Sequence, residues 1–188
     1  MSETTEMALM EAEDKMGKAL EVARDDMATI RTGRAHPSMF NKLTVDYYGA
    51  PTPLQQLASF QIQDARTVLI TPFDKGAMSN IEKVLREGEL QLNPSNDGNA
   101  IRIVMPQLTE ERRKEYIKLA RSKGEEAKVS VRNVRRATMD VVAKAVKDGE
   151  IGEDEGTRTE KEVEALTKKF TDQVDEVLKA KEAELLEV

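Results

Sequence analysis

The sequence predicts an α+β chain in which a long antiparallel three-helix bundle carries a small β-rich domain inserted between its first and second helices. Three observations predict it. Three long segments repeat apolar residues at spacings of three and four. The stretch between the first two alternates instead with a period of two. The charged fraction is 34% and the aromatic fraction 4%, a composition suited to long exposed helices.

The first helix is expected to bury Leu9, Ala12, Met16, Ala19, Ala23, Met27 and Ile30 on one face. Gly17 lowers its propensity without breaking the pattern. The segment 31–37, "RTGRAHP", then leads into the β-rich domain. There "KLTVDYYGAPTPL" gives a strand through Leu43, Val45 and Tyr47 and then a Gly/Pro turn, and "LASFQIQDARTVLITPF" gives two strands around Gln63-Asp64. A short helix follows through Ile81, Val84 and Leu85, and "ELQLNPSNDGNAIRIVMP" reads as two strands joined by a turn-rich loop.

The second long helix opens after Pro106, with Thr109 as N-cap and Glu110 and Glu111 in the first turn. Its seam is Ile117, Ala120, Gly124, Ala127, Val131, Val134, Thr138, Val141 and Ala145, and it ends near Asp148-Gly149. About 40 residues at 1.5 Å each make a rod of roughly 60 Å. An acidic loop from Gly149 to Gly156 follows. The third helix starts at a Thr159/Glu162 capping box and buries Val163, Leu166, Phe170, Val174, Val177 and Leu185. The expected division is therefore a bundle of residues 1–31 and 107–188 and an inserted domain of 32–106. Because the first two helices must pack side by side, the two connecting segments, 31–37 and 105–107, lie together as a hinge of Arg31, Thr32, Gly33, Arg34, Met105, Pro106 and Gln107.

Composition removes several classes of function. The 188 residues include no cysteine, so disulfides and thiolate metal sites are excluded and a cytoplasmic setting is expected. No run approaches the ~20 apolar residues of a membrane span, and the acid-interrupted start resembles neither a secretory nor a transit sequence. His36 is the sole histidine and lies in the hinge, so no acid–base or nucleophilic constellation is evident. No phosphate-binding glycine motif opens a helix, and the acidic loop lacks the sixth-position glycine of a calcium hand. No cofactor or metal is expected.

One feature stands out against a net charge of -6. Bases outnumber acids from Gln107 to Lys147, whereas acids dominate both the first helix and the third. Arg121, Lys128, Arg132 and Arg135 each follow a seam residue by one position, about 100° round the helix, and so form one row beside the apolar seam. Arg113 and Arg136 lie near that row but off it. A row of guanidinium groups on a rigid rod suits phosphates. Pairing with the acidic helices explains the same charges equally well.

The motifs "IRTGRAHPSMF", "YYGAPTPLQQLAS", "LNPSNDGNAIR", "PQLTEERRKEY" and "VRNVRRATMD", in that order, span essentially the whole chain and together resemble the bacterial ribosome recycling factor family. The resemblance implies an L of transfer-RNA size, with the three-helix bundle as the long arm and a β/α/β sandwich as the short one. It implies a monomeric, non-enzymatic factor that binds the post-termination ribosome, contacts large-subunit ribosomal RNA and separates the subunits together with elongation factor G and GTP. The family's RNA-contacting arginines carry over to Arg132, Arg135 and Arg136, and the row extends the candidate surface to Arg113, Arg121 and Lys128. On the residues alone, a coiled-coil adaptor and an enzyme with its site in the β-rich domain stay open.

Overall fold

The computed structural model describes residues 1–88 and 90–187 and divides into two compact units, one of Met1–Arg31 with Glu110–Glu187 and one of Thr32–Thr109. Helix α1 spans Glu3–Ala28, α4 spans Glu110–Lys147 and α5 spans Glu153–Leu186. Between α1 and α4 come β1 (Thr44–Tyr47), β2 (Ala50–Pro53), the single turn α2 (Leu54–Leu57), β3 (Ala58–Ile62), β4 (Thr67–Pro72), α3 (Met78–Glu87), β5 (Ser95–Asn96) and β6 (Ile101–Val104). The expected α+β class, with three long helices and a small antiparallel sheet domain, is borne out.

In the bundle, α4 runs antiparallel to both α1 and α5. Arg121 pairs with Glu182 and Arg135 with Glu164, so residue numbers climb on one helix as they fall on the other. Helix α1 begins where the Ser2 hydroxyl accepts from the Thr5 N–H and Glu3 and Glu6 meet the positive end of the helix. Its buried face is Thr5, Ala12, Met16, Leu20, Ala23 and Met27. Leu20 takes the central place expected of Ala19, and Leu9 is only half-buried. The three helices meet where Met16, Leu20 and Ala23 pack with Ala127, Val131, Phe170 and Val174. Thr138 and Thr167 lie in the seam at no polar cost, since each hydroxyl donates to a carbonyl one turn back, Val134 and Val163 respectively.

Two helix readings need correction. Val141 is 49% exposed and Val142, at 1%, takes its place in the seam. A straight helix of 3.6 residues per turn drifts against a strict seven-residue repeat, and by the fourth repeat the buried line has moved on by one residue. Helix α5 does not begin at a Thr159/Glu162 capping box: Gly152 is its N-cap, and Thr159 is buried inside it, donating to the Glu155 carbonyl. The acids Glu153, Asp154 and Glu155 form the first turn, where the helix dipole favours them, so the acidic run opens a helix rather than filling a loop. The connection shrinks to a tight turn, with Gly149 at φ +75° and Ile151 buried against Val142 and Ala145.

The second unit has a two-stranded hairpin, β1–β2, and a four-stranded antiparallel sheet in the order β3-β4-β6-β5. Tyr47 pairs with Ala50, and the intervening Tyr48 and Gly49 both take positive φ (50° and 83°), the two-residue turn whose twist suits a hairpin. Ala50–Pro53, expected as part of a turn, is thus strand β2. Val68 and Ile70 of β4 stand opposite Ile103 and Ile101 of β6, and this face packs with Phe40, Val45, Leu54, Ile81 and Leu85 into one core. The strand expected in "ELQL" is not found among the described residues; Glu89 lies outside them, and β5 is the later Ser95–Asn96.

Glycines in the bundle differ in what they permit. A Cβ on Gly156 would lie 2.6 Å from Val146 Cγ2, so this glycine lets α5 approach α4. A Cβ on Gly17 would meet nothing nearer than Phe170 Cε1 at 3.9 Å. Gly17→Ala is therefore expected to stabilise the protein by about 0.5–1 kcal/mol through helix propensity. Gly156→Ala should destabilise it by about 1–2 kcal/mol, because a stiff β-branched neighbour must move. Urea denaturation of both variants tests the contrast; equal shifts would refute it.

The N-terminal ends of α1 and α5 are tied by Glu155. Its carboxylate accepts from the Ser2 N–H (2.5 Å) and the Thr5 hydroxyl (2.8 Å), and these bonds, the backbone one foremost, lower its pKa from 4.5 to about 2. A carboxyl depressed by folding contributes stability that is complete above the unfolded value and is lost as pH falls through the folded one. Glu155→Gln is expected to be less stable than the parent at pH 7, with the difference narrowing between pH 4.5 and about 2. Thermal melts across that range check it, and a constant difference would overturn it.

Candidate nucleic-acid interface

The row on α4 forms because its seam is held against α1 and α5 at Ala120, Gly124, Ala127 and Val131, which turns the next residue of each step toward the edge of the bundle. Arg121, Lys128 and Arg135 are brought to the border with α5, and each pairs there with an acid. Arg121 Nε lies 2.6 Å from Glu182 Oε1, Lys128 meets Asp175, and Arg135 Nη1 lies 3.7 Å from Glu164 Oε2. The Glu182 hydrogen bond and charge raise the Arg121 pKa and so hold its proton more firmly. Arg132 turns along its own helix to Glu125, at 3.0 Å. Arg136 stands further out, exposed, with no ion pair among the described residues. Arg113 lies half-buried on the seam line itself, four residues before Ile117, and does not extend the row.

The intramolecular reading of the basic segment thus holds for most of the row. Three of the row's members pair with the acidic third helix, Arg132 pairs along α4 itself, and Arg136 is exposed. A guanidinium has five donors, and the single 3.7 Å contact of Arg135 leaves most of its fork open. The α5 partners were not identified from sequence, although a signal exists: Glu164 and Asp175 each follow a buried residue, Val163 and Val174, by one position, as the α4 row follows its own seam.

The expected hinge residues have defined surroundings within the second unit. Gly33 takes φ +76°, where side chains are disfavoured. Just beyond it the Ala35 N–H donates to the Ala65 carbonyl at 2.8 Å. On the outgoing side the Met105 N–H donates to the Arg66 carbonyl at 2.7 Å, and the Arg66 guanidinium returns two bonds to the Met105 carbonyl, at 3.0 and 2.8 Å. One β3–β4 turn therefore holds both connecting strands. Asp64 fixes that turn by accepting from the Arg66 N–H, the main cause of its lowered pKa. Sequence reasoning missed this clamp. His36 caps a 3-10 turn, its Nδ1 accepting from the Ser38 N–H at 3.1 Å.

Among the described residues no three His, Cys, Asp or Glu side chains are grouped to hold a metal, and no helix is long and apolar enough to cross a membrane. The described residues thus form a three-helix bundle with a basic row along α4 and, as a separate compact unit, a small antiparallel-sheet domain. Residues 23–186 match the model of the family described as ribosome recycling factor. The chain is 67% identical over 180 residues to the ribosome-recycling factor of Kineococcus radiotolerans, covering 96% of this chain and 97% of that one. It is 63% identical over 183 residues to that of Pseudarthrobacter chlorophenolicus, covering 97% and 99%. A solution structure of the ribosome recycling factor matches over the whole of both chains, with a TM-score of 0.79 and 38% identity. A second structure presents models for the T. thermophilus ribosome recycling factor and the E. coli elongation factor G bound to the E. coli post-termination complex. It matches with a TM-score of 0.66 and 40% identity over 97% of this chain and 98% of that one. The chain belongs to the ribosome recycling factor family.

Proposed function

We propose that this chain binds the post-termination ribosome as a cytoplasmic monomer, lays the α4 row on large-subunit ribosomal RNA, and separates the subunits together with elongation factor G and GTP. It is a translation factor rather than an enzyme. The observation that carries the reading is the coincidence of family membership with a rigid helix that presents Arg132, Arg135 and Arg136 outside the bundle core. Arg121 and Lys128 contribute to the same surface; Arg113, half-buried, is its weakest member.

Binding carried by phosphate contacts falls steeply with salt, because each contact releases counterions condensed on the RNA. Arg132→Ala and Arg135→Ala are each expected to weaken ribosome binding and to make the log–log salt slope shallower by about one unit, with helix content unchanged. Co-sedimentation with vacant ribosomes over a salt series measures both quantities. Wild-type binding by the double variant would remove the row from the interface.

The hinge reading gains support from the clamp at Ala35 and Met105. With both strands fixed on the β3–β4 turn, reorientation of the units has to be absorbed between Arg31 and Arg34 and from Pro106 to Thr109. Binding alone redistributes ribosomal states only by differential affinity, and this chain carries no nucleotide-binding motif, so a second factor has to supply the energy. Fluorophores on cysteines replacing Lys42 and Glu176 should report a distance change during splitting, followed by light scattering, only when elongation factor G and GTP are both present. Splitting without GTP would overturn the division of labour, and splitting at a constant distance would overturn the hinge.

A further inference from the structure

The ion pairs along the border of α4 and α5 form a ladder. Arg121, Lys128 and Arg135 recur every seven residues, about 10.5 Å apart along the axis, and meet Glu182, Asp175 and Glu164 in reverse order. Three cations that could take RNA phosphates are thus already engaged by carboxylates of the same molecule. In two of the three pairs the carboxylate is the replaceable partner: Glu164 and Asp175 are 57% and 53% exposed, whereas the side chains of Arg135 and Lys128 are 32% and 21% exposed. In the third the order is reversed, with Arg121 at 66% and Glu182 at 25%, so Glu182 is the more firmly seated of the acids. A displaced Glu164 or Asp175 can swing into water, while its basic partner stays anchored by its buried stem.

Resting on the reading above, we infer that Glu164 and Asp175, with Glu182 as a less exposed third member, act as an internal substitute for phosphate, which suppresses binding of the α4 row to arbitrary RNA and so sets specificity for the ribosomal surface. A cation paired with a carboxylate is locally neutral and offers an approaching duplex no net attraction. Only RNA that is also held by other contacts gains enough to displace the carboxylates in sequence. Arg136, exposed and without an ion pair among the described residues, lies outside this control and makes the first encounter, whereas Arg132 is neutralised along its own helix by Glu125. The arrangement also accounts for where the acids are: a protein whose net charge is -6 places three of its carboxylates against its most basic segment.

The test uses the full-length Glu164→Gln/Asp175→Asn/Glu182→Gln variant and, as a control of equal charge change, Asp25→Asn/Glu162→Gln/Glu176→Gln, which replaces exposed acids that pair with none of the row. The probe is a short RNA duplex unrelated to ribosomal sequence, titrated at several salt concentrations. The ladder variant is expected to bind it about tenfold or more tightly at low salt, with a salt slope steeper by about two units, since up to three cations then contribute net charge at ~0.7–0.9 unit each. Unchanged duplex affinity and slope would overturn the inference. An equal gain in the control would overturn it too, because net charge alone would then explain the effect. Circular dichroism establishes that the helices persist; should the triple variant lose them, Glu164→Gln alone carries the test, with about one third of the slope change expected. Failure here is separable from failure of the functional reading. If the Arg132/Arg135 variant loses ribosome binding while the ladder variant behaves as the parent, only the ladder inference falls. If the arginine variant binds ribosomes normally, the functional reading falls.

Discussion

The constraint on which this protein depends is the seam of α4, a single helix of 38 residues that has to serve two surfaces at once. Its inward line is unusually small: Ala120, Gly124, Ala127 and Ala145 sit where larger residues would hold the neighbours away. A Cβ on Gly124 would already stand 3.3 Å from Leu178 Cδ2 on α5. Close approach matters because it fixes rotation. Once the seam is locked, every residue one position later is turned to the same edge, and the direction of the basic row is settled by packing rather than by the charges themselves.

The same seam sets the register of α5. Val163 and Val174 are fully buried, so Glu164 and Asp175 emerge at the border where Arg135 and Lys128 emerge from the other side. Exposed ion pairs of this kind add little to stability, since solvent screens them and ordering long side chains costs entropy. Their consequence is geometric and electrostatic. They hold cationic heads in extended positions along the rod and lower the local net charge to near zero. Stability comes instead from the apolar contacts of Met16, Leu20, Val131, Phe170 and Val174, so the border charges can change partners without loosening the core.

In the second unit the equivalent economy is the β3–β4 turn. Ala65 and Arg66 offer backbone carbonyls to Ala35 and Met105, and the Arg66 side chain closes on Met105 from the other side. The incoming and outgoing strands are therefore part of the sheet's hydrogen-bonded structure up to these two residues. Gly33, at φ +76°, lies two residues before Ala35, in a backbone conformation that favours glycine. A turn that sequence alone marks only as Gln63-Asp64 between two strands thus binds both segments that lead into and out of the sheet.

What could be read from the sequence follows from which physical signals are local. The three helices are legible because their periodicity is repeated many times. The hairpin at Tyr48-Gly49 is not, because two prolines within Ala50–Pro53 read locally as a turn and only pairing with β1 makes the segment a strand. The start of α5 was misread because an acidic run has two local meanings, a solvated loop or a dipole-favoured first turn, and tertiary packing decides between them: Gly156 tucks beneath Val146 only if the run is helical. A heptad rule places Val141 in the seam where the structure buries Val142, because it accumulates error that one turn of helix cannot reveal. The arginine row was legible as a row, since each member's angle to the seam depends on α4 alone. Its pairing was not, because no single-helix pattern states which neighbour lies at that edge. Yet α5 carries the complementary pattern, acids one residue past its own buried valines, and the two offsets have the same sign along each helix. For antiparallel helices that brings the basic and acidic edges together on one side of their shared contact, so a comparison of offsets between helices recovers the Arg135–Glu164 and Lys128–Asp175 pairs that periodicity within each helix leaves hidden, though not Arg121–Glu182, whose acid follows Lys181.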